Sequence, residues 1–110
     1  MIVTQQRLEK ALHFLAETDT ENAQWRGAVL RTEHMAKVAE ALAYQQLDKS
    51  MTVEDRKRAV LLVPEVQKAH EEHFKAVTEA ERLKARRQRE VIVIELYRTM
   101  EASRRVGNIQ

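Results

Sequence analysis

The sequence predicts an all-α protein: a long antiparallel helical hairpin, coiled-coil-like, with a short helix at the turn. Three observations carry this. After Pro64 there is no glycine or proline until Gly107, so nothing local stops a helix of about forty residues, roughly 60 Å long. The composition is that of long helices: 2 Gly, 1 Pro and 5% aromatic residues beside 33% charged and 44% hydrophobic ones. Apolar residues also recur at three- and four-residue steps in both halves of the chain. A helix that long needs a partner for its apolar seam. The partner at hand is the first half of the same chain, and 110 residues fit one domain.

The first helix is expected over about 4–47. Thr4 suits its cap, and Leu8, Leu12 and Leu15 follow on one face. Glu17-Thr18-Asp19-Thr20-Glu21-Asn22 is polar and poor in helix formers. The helix is nevertheless expected to continue, because a loop here would leave two weak pieces. The seam resumes with Trp25, Val29, Ala36 and Ala43, with a neighbouring line of Ala28, Met35, Val38 and Leu42. Asp48-Lys49-Ser50 reads as the turn. Thr52-Val53-Glu54-Asp55 then starts a short helix over about 53–62, with Thr52 as cap and acidic residues in the first turn. Pro64 fits a helix start and breaks a helix interior. The long helix is therefore placed over about 64–105, with a frayed tail at 106–110. Antiparallel pairing about this turn puts Leu15 near Tyr97.

Charge is unevenly placed. The 19 basic and 17 acidic residues give +2 overall, yet residues 82–105 hold 8 basic and 3 acidic residues, a local excess of +5. The basic set is Arg82, Lys84, Arg86, Arg87 and Arg89, extended by Arg98, Arg104 and Arg105. Arg82, Arg86 and Arg89 share a helix face. Such a stripe suits phosphates bound without regard to base sequence. An acidic protein surface and a plain solvated face, paired with Glu79, Glu81 and Glu90 at helical spacings, are the alternatives. His70 and His73 could share a metal at three-residue spacing, but the His-Glu-x-x-His pattern of zinc proteases is absent. The reading is therefore two histidines at a helix edge, with no metal and no cofactor. Val91-Ile92-Val93-Ile94 is apolar all round a helix, and Leu61, Leu62 and Val63 crowd the turn. One hairpin partner cannot cover both. Leu61, Leu62, Val91, Ile92 and Ile94 are the candidate contacts of a homo-oligomer, with packing inside one chain as the alternative.

Other features exclude function classes. With no cysteine, thiol catalysis and thiolate metal sites are ruled out. There is no nucleophile elbow and no phosphate-cradling glycine loop, so the expectation is a non-enzyme. The first residues lack a signal-peptide core, and no run approaches the ~20 apolar residues of a membrane span. A cytoplasmic protein without membrane contact is expected.

Leu12-His13-Phe14-Leu15-Ala16-Glu17-Thr18-Asp19, the Thr52-Val53-Glu54-Asp55-Arg56 helix start, and Tyr97-Arg98-Thr99-Met100-Glu101-Ala102-Ser103-Arg104-Arg105 followed by Gly107-Asn108 carry a resemblance. Together they resemble small helical proteins of tailed bacteriophages encoded near single-strand-binding and recombination genes. The resemblance implies a phage early protein in a bacterial host, working beside DNA replication or recombination. The functional expectation is an accessory protein that binds DNA, or a phage or host replication or recombination nucleoprotein, through residues 82–105. The alternative is a protein–protein interaction module, a host-factor inhibitor or scaffold, without nucleic-acid contact.

Overall fold

In a computed structural model, residues 2–109 are described. Among them are four α-helices and no strand: α1 Gln5–Glu17, α2 Asp19–Gln46, α3 Val53–Val60 and α4 Pro64–Ile109. They group into two compact units, Met1–Ala23 with Glu81–Gln110, and Gln24–Ala80, where the sequence reading has one hairpin domain.

The second unit is a helical hairpin with its turn capped at every step. Asp48 accepts the backbone N–H of Ser50 on its carboxylate at 2.9 Å, and its carbonyl accepts from Met51 at 3.2 Å. This aspartate turn holds the Asp48 carboxyl below its ordinary range, chiefly through the hydrogen bonds from Ser50. Thr52 then caps α3, its hydroxyl accepting the Asp55 N–H at 3.1 Å. Arg56 ties α3 back to the turn: its Nε donates to the Asp48 carbonyl at 3.2 Å and its guanidinium lies over the Tyr44 ring at 5.2 Å.

The short helix ends at Val60, two residues before the expected end, because Pro64 forbids the α conformation just before it. Leu61, Leu62 and Val63 each donate three residues back, to Arg58, Ala59 and Val60. The chain tightens into these shorter bonds before restarting. The Val63 carbonyl accepts from both Val66 and Gln67 at 3.0 Å, opening α4 at Pro64.

The core beneath this turn is small. Val60, Val66 and Ala43 are buried, with Val66 fully so, and Ala39, Tyr44, Leu47 and Val63 pack on them. Farther along, Ala36 and Ala76 are buried. Alanine at both positions lets α2 and α4 approach closely, with little apolar area gained per residue.

In the first unit α1 lies antiparallel to α4. Thr4 caps α1, its hydroxyl accepting from the Arg7 N–H at 3.1 Å. Val3, buried, donates its N–H to the Met100 sulfur at 3.3 Å, and Ala11 is completely buried.

Three sequence expectations are corrected here. The helix over 4–47 is broken at Thr18, whose ψ of 2° takes it off the helical path. Its hydroxyl donates to the Phe14 carbonyl at 2.8 Å, a back-bond that bends helices. A one-residue break needs no loop, so the objection to two pieces does not apply. The long helix runs through Ile109, past the expected end at 105. Gly107 takes no positive φ and does not act as a helix stop; an exposed glycine in a last turn costs only about 1 kcal/mol. Residue 110 lies outside the described residues. Leu15 sits against Arg87, not Tyr97: the Arg87 guanidinium reaches the Leu15 carbonyl at 2.9 Å. One straight register extrapolated from the turn does not survive the break at Thr18.

Candidate nucleic-acid interface

An α-helix advances about 100° per residue, and this divides the basic residues of α4 into groups. Arg82, Arg86 and Arg89 follow at steps of four and three and form one exposed flank. Arg104 lies about five turns beyond Arg86 on the same line; it is exposed and paired with Glu101 at 3.1 Å. Arg87, Arg98 and Arg105 belong to the other flank. Lys84, two residues from Arg82, projects from the far side of the helix, exposed. The predicted basic set is thus two flanks and an isolated lysine.

The two flanks differ in what their guanidiniums already do. Arg86 lies over the Phe14 ring at 4.3 Å. Stacking holds its plane and leaves its edge donors facing outward, an arrangement suited to phosphate oxygens. Arg87 is committed inside the unit. Its Nη1 donates to the Leu15 carbonyl at 2.9 Å and to the Thr18 hydroxyl at 2.6 Å, and its Nη2 lies 3.6 Å from Asp19. The Leu15 carbonyl belongs to the last turn of α1, where carbonyls lose their helical donors. Arg87 therefore acts as a cap for α1 supplied from α4.

Glu90 is the acidic neighbour that would oppose an anion, and the fold ties it up. Arg7 Nη2 donates to Oε1 at 2.9 Å, while Nη1 lies 2.8 Å from Oε2 as an ion pair without hydrogen-bond alignment. The hydrogen bond from Arg7 is the main cause that lowers the Glu90 pKa; burial opposes it, and the charges of Arg7, Arg86 and Arg89 assist it. Nothing local in the sequence marks Arg7 and Glu90 as partners, since they stand 83 residues apart.

A depressed carboxylate has a defined effect on acid stability. The folded chain binds fewer protons here than the unfolded one. The stability Glu90 contributes is therefore complete above its ordinary value of about 4.5 and is lost as pH falls through the lower folded value. Glu90→Gln is expected to flatten the acid limb of a Tm-against-pH curve, with a lower Tm at neutral pH. An unchanged acid limb would show that the Arg7 contact does not form in solution.

The remaining candidates separate as well. His70 pairs with Glu40, Nε2 to Oε1 at 2.6 Å, and His73 Nδ1 is 2.9 Å from the Thr32 hydroxyl. The two histidines thus serve different partners on α2. No cluster of three or more His, Cys, Asp or Glu side chains is placed to hold a metal among the described residues.

The candidate oligomer contacts do not form one surface. Leu62 is 73% exposed and Leu61 is exposed beside it at the α3–α4 corner, while Val60 turns into the core. On α4, Ile94 is half-buried. Ile92 is 52% exposed and projects from nearly the opposite side of the helix to Ile94.

No helix among the described residues is long and apolar enough to cross a membrane. No protein-family model, curated protein or solved structure matches this chain.

Proposed function

We propose that the protein is a non-enzymatic nucleic-acid-binding accessory factor that grips the phosphate backbone through Arg82, Arg86 and Arg89, with Arg104 farther along the same line. The observation that carries this reading is the Arg86 guanidinium, stacked on Phe14 at 4.3 Å within an exposed arginine flank. Charge distribution supports it. The unit holding the flank has 10 basic and 8 acidic residues, while the other has 9 of each, so the whole net charge of +2 resides with the flank. A helix flank of guanidiniums contacts backbone, not base edges, so the binding is neutral to sequence. A role in phage DNA replication or recombination, inside the bacterial host, is the setting that the sequence resemblance adds.

Mobility shift at low salt with single- and double-stranded DNA tests this. Both are expected to shift at micromolar protein, with an affinity that falls steeply as salt rises. No shift of either substrate under those conditions rules out direct binding.

The exposed pair Leu61 and Leu62 favours a second reading, in which a protein partner docks on the α3–α4 corner. Leu62→Glu separates the two: it leaves the DNA shift intact and abolishes capture of such a partner.

A further inference from the structure

The hairpin unit has a second apolar seam that its own helices do not cover. Along α2, positions 28, 31, 35, 38, 42 and 45 follow at alternating steps of three and four, the spacing of a coiled-coil face. Met35, Val38 and Leu42 fill the middle of that line, about 100° away from the Ala36–Ala43 line that packs on α4. Met35 is 57% and Leu42 54% exposed. With Ala39 and Ala69 they floor an open groove between α2 and α4, rimmed by Arg31, Glu65, Lys68 and Glu72. These four charged residues form no ion pair among the described residues.

We infer that this groove is the dimer interface, occupied by the same groove of a second copy in an antiparallel four-helix arrangement. Area is the first argument. A folded monomer of 12.8 kDa is expected to expose about 6,300 Å². This chain exposes 8658 Å², an excess of about 2,400 Å² over that expectation. A stable dimer buries about 800 Å² or more per partner, so the surface to be covered is ample.

Charge complementarity is the second argument, and it fixes the orientation. Glu40 pairs with His70 and Thr32 with His73. Along the groove the rim therefore runs Arg31, Glu72, Lys68, Glu65. A two-fold axis across its middle reverses the second copy. Arg31 then meets the partner's Glu65, Glu72 meets the partner's Lys68, and Met35 meets the partner's Val38. Each contact occurs twice by symmetry. A parallel arrangement would instead set Arg31, Lys68 and Glu65 level with their own copies, like charge against like. The unit has 9 basic and 9 acidic residues, so no net repulsion opposes its self-association. This inference does not rest on nucleic-acid binding. It also places the interface away from Leu61, Leu62, Val91, Ile92 and Ile94.

Sedimentation equilibrium of the full chain tests it. A mass of twice 12.8 kDa is expected, and a monomer at every concentration up to about 100 μM overturns the proposal. Met35→Glu, exposed in the single chain, should give a monomer of undiminished helicity by circular dichroism. Arg31→Glu should weaken the dimer about tenfold or more, and adding Glu65→Arg should restore it to within about threefold. A dimer indifferent to Met35→Glu, or an Arg31→Glu defect that Glu65→Arg does not repair, overturns the antiparallel groove contact.

Discussion

Arg87→Met is expected to lower the unfolding free energy by about 2–3 kcal/mol and to loosen α1 selectively. Arg87 is the one basic residue of α4 whose guanidinium reaches three groups around the Thr18 break. Hydrogen bonds from a charged donor count for more than neutral ones, and truncation leaves the Leu15 carbonyl without the donor that α4 supplies. Methionine keeps most of the apolar stem, so the loss isolates the guanidinium. Urea unfolding at fixed protein concentration measures the total. Hydrogen exchange over residues 5–17 measures where it falls, with protection in 64–80 largely retained. Arg87→Lys should recover less than half the loss, because an ammonium cannot serve the carbonyl, the hydroxyl and Asp19 from one rigid plane. A change under about 0.5 kcal/mol with α1 protection intact would mean that the guanidinium is not the cap. DNA affinity measured well below the melting range should survive Arg87→Met, since this arginine is spent inside the fold.

Replacing Arg82, Arg86 and Arg89 together by glutamine should do the reverse: little loss of stability, and about a hundredfold or greater loss of DNA affinity at low salt. Glutamine keeps helix propensity close to that of arginine, so α4 should remain intact. The informative quantity is the slope of log affinity against log salt. Loss of three phosphate contacts should reduce its magnitude by about 2 to 3 on double-stranded DNA. Arg98 and Arg105, on the other flank, make the control. Their replacement by glutamine removes similar charge and should change the slope by less than 1. Equal effects from the two flanks would mean that net charge, and not the arginine flank, attracts DNA. The Phe14→Leu variant refines this. It removes the ring under Arg86 while keeping the charge, and should weaken affinity without altering the slope.

Both predictions turn on residues that read alike in the sequence. Arg86 and Arg87 are adjacent, equally basic and part of one run. Their difference arises because consecutive residues on a helix point about 100° apart. One stacks on the outer ring of Phe14, while the other turns under α1. The same rotation separates Ile92 from Ile94, which the sequence reading grouped as one contact. The caps, by contrast, were legible beforehand. Thr4, Thr52 and the Asp48-Lys49-Ser50 turn work through groups two to four residues away, and such bonds are written in local sequence. Pro64 as the start of the long helix was legible for the same reason, since its ring constrains φ at its own position.

The sequence by itself determined that this protein is helical, where its turn lies, and that its positive charge gathers in the second half. These follow from propensity, capping and composition, which act over a few residues or over none. Only the tertiary structure decided the break at Thr18, the pairing of Arg7 with Glu90, the capture of Arg87 by α1, and which arginines remain on an outward flank. Each depends on which turn of one helix lies against which turn of another. That register is set by side-chain packing across the interface, where alanine-rich seams leave many alignments nearly equal in apolar contact.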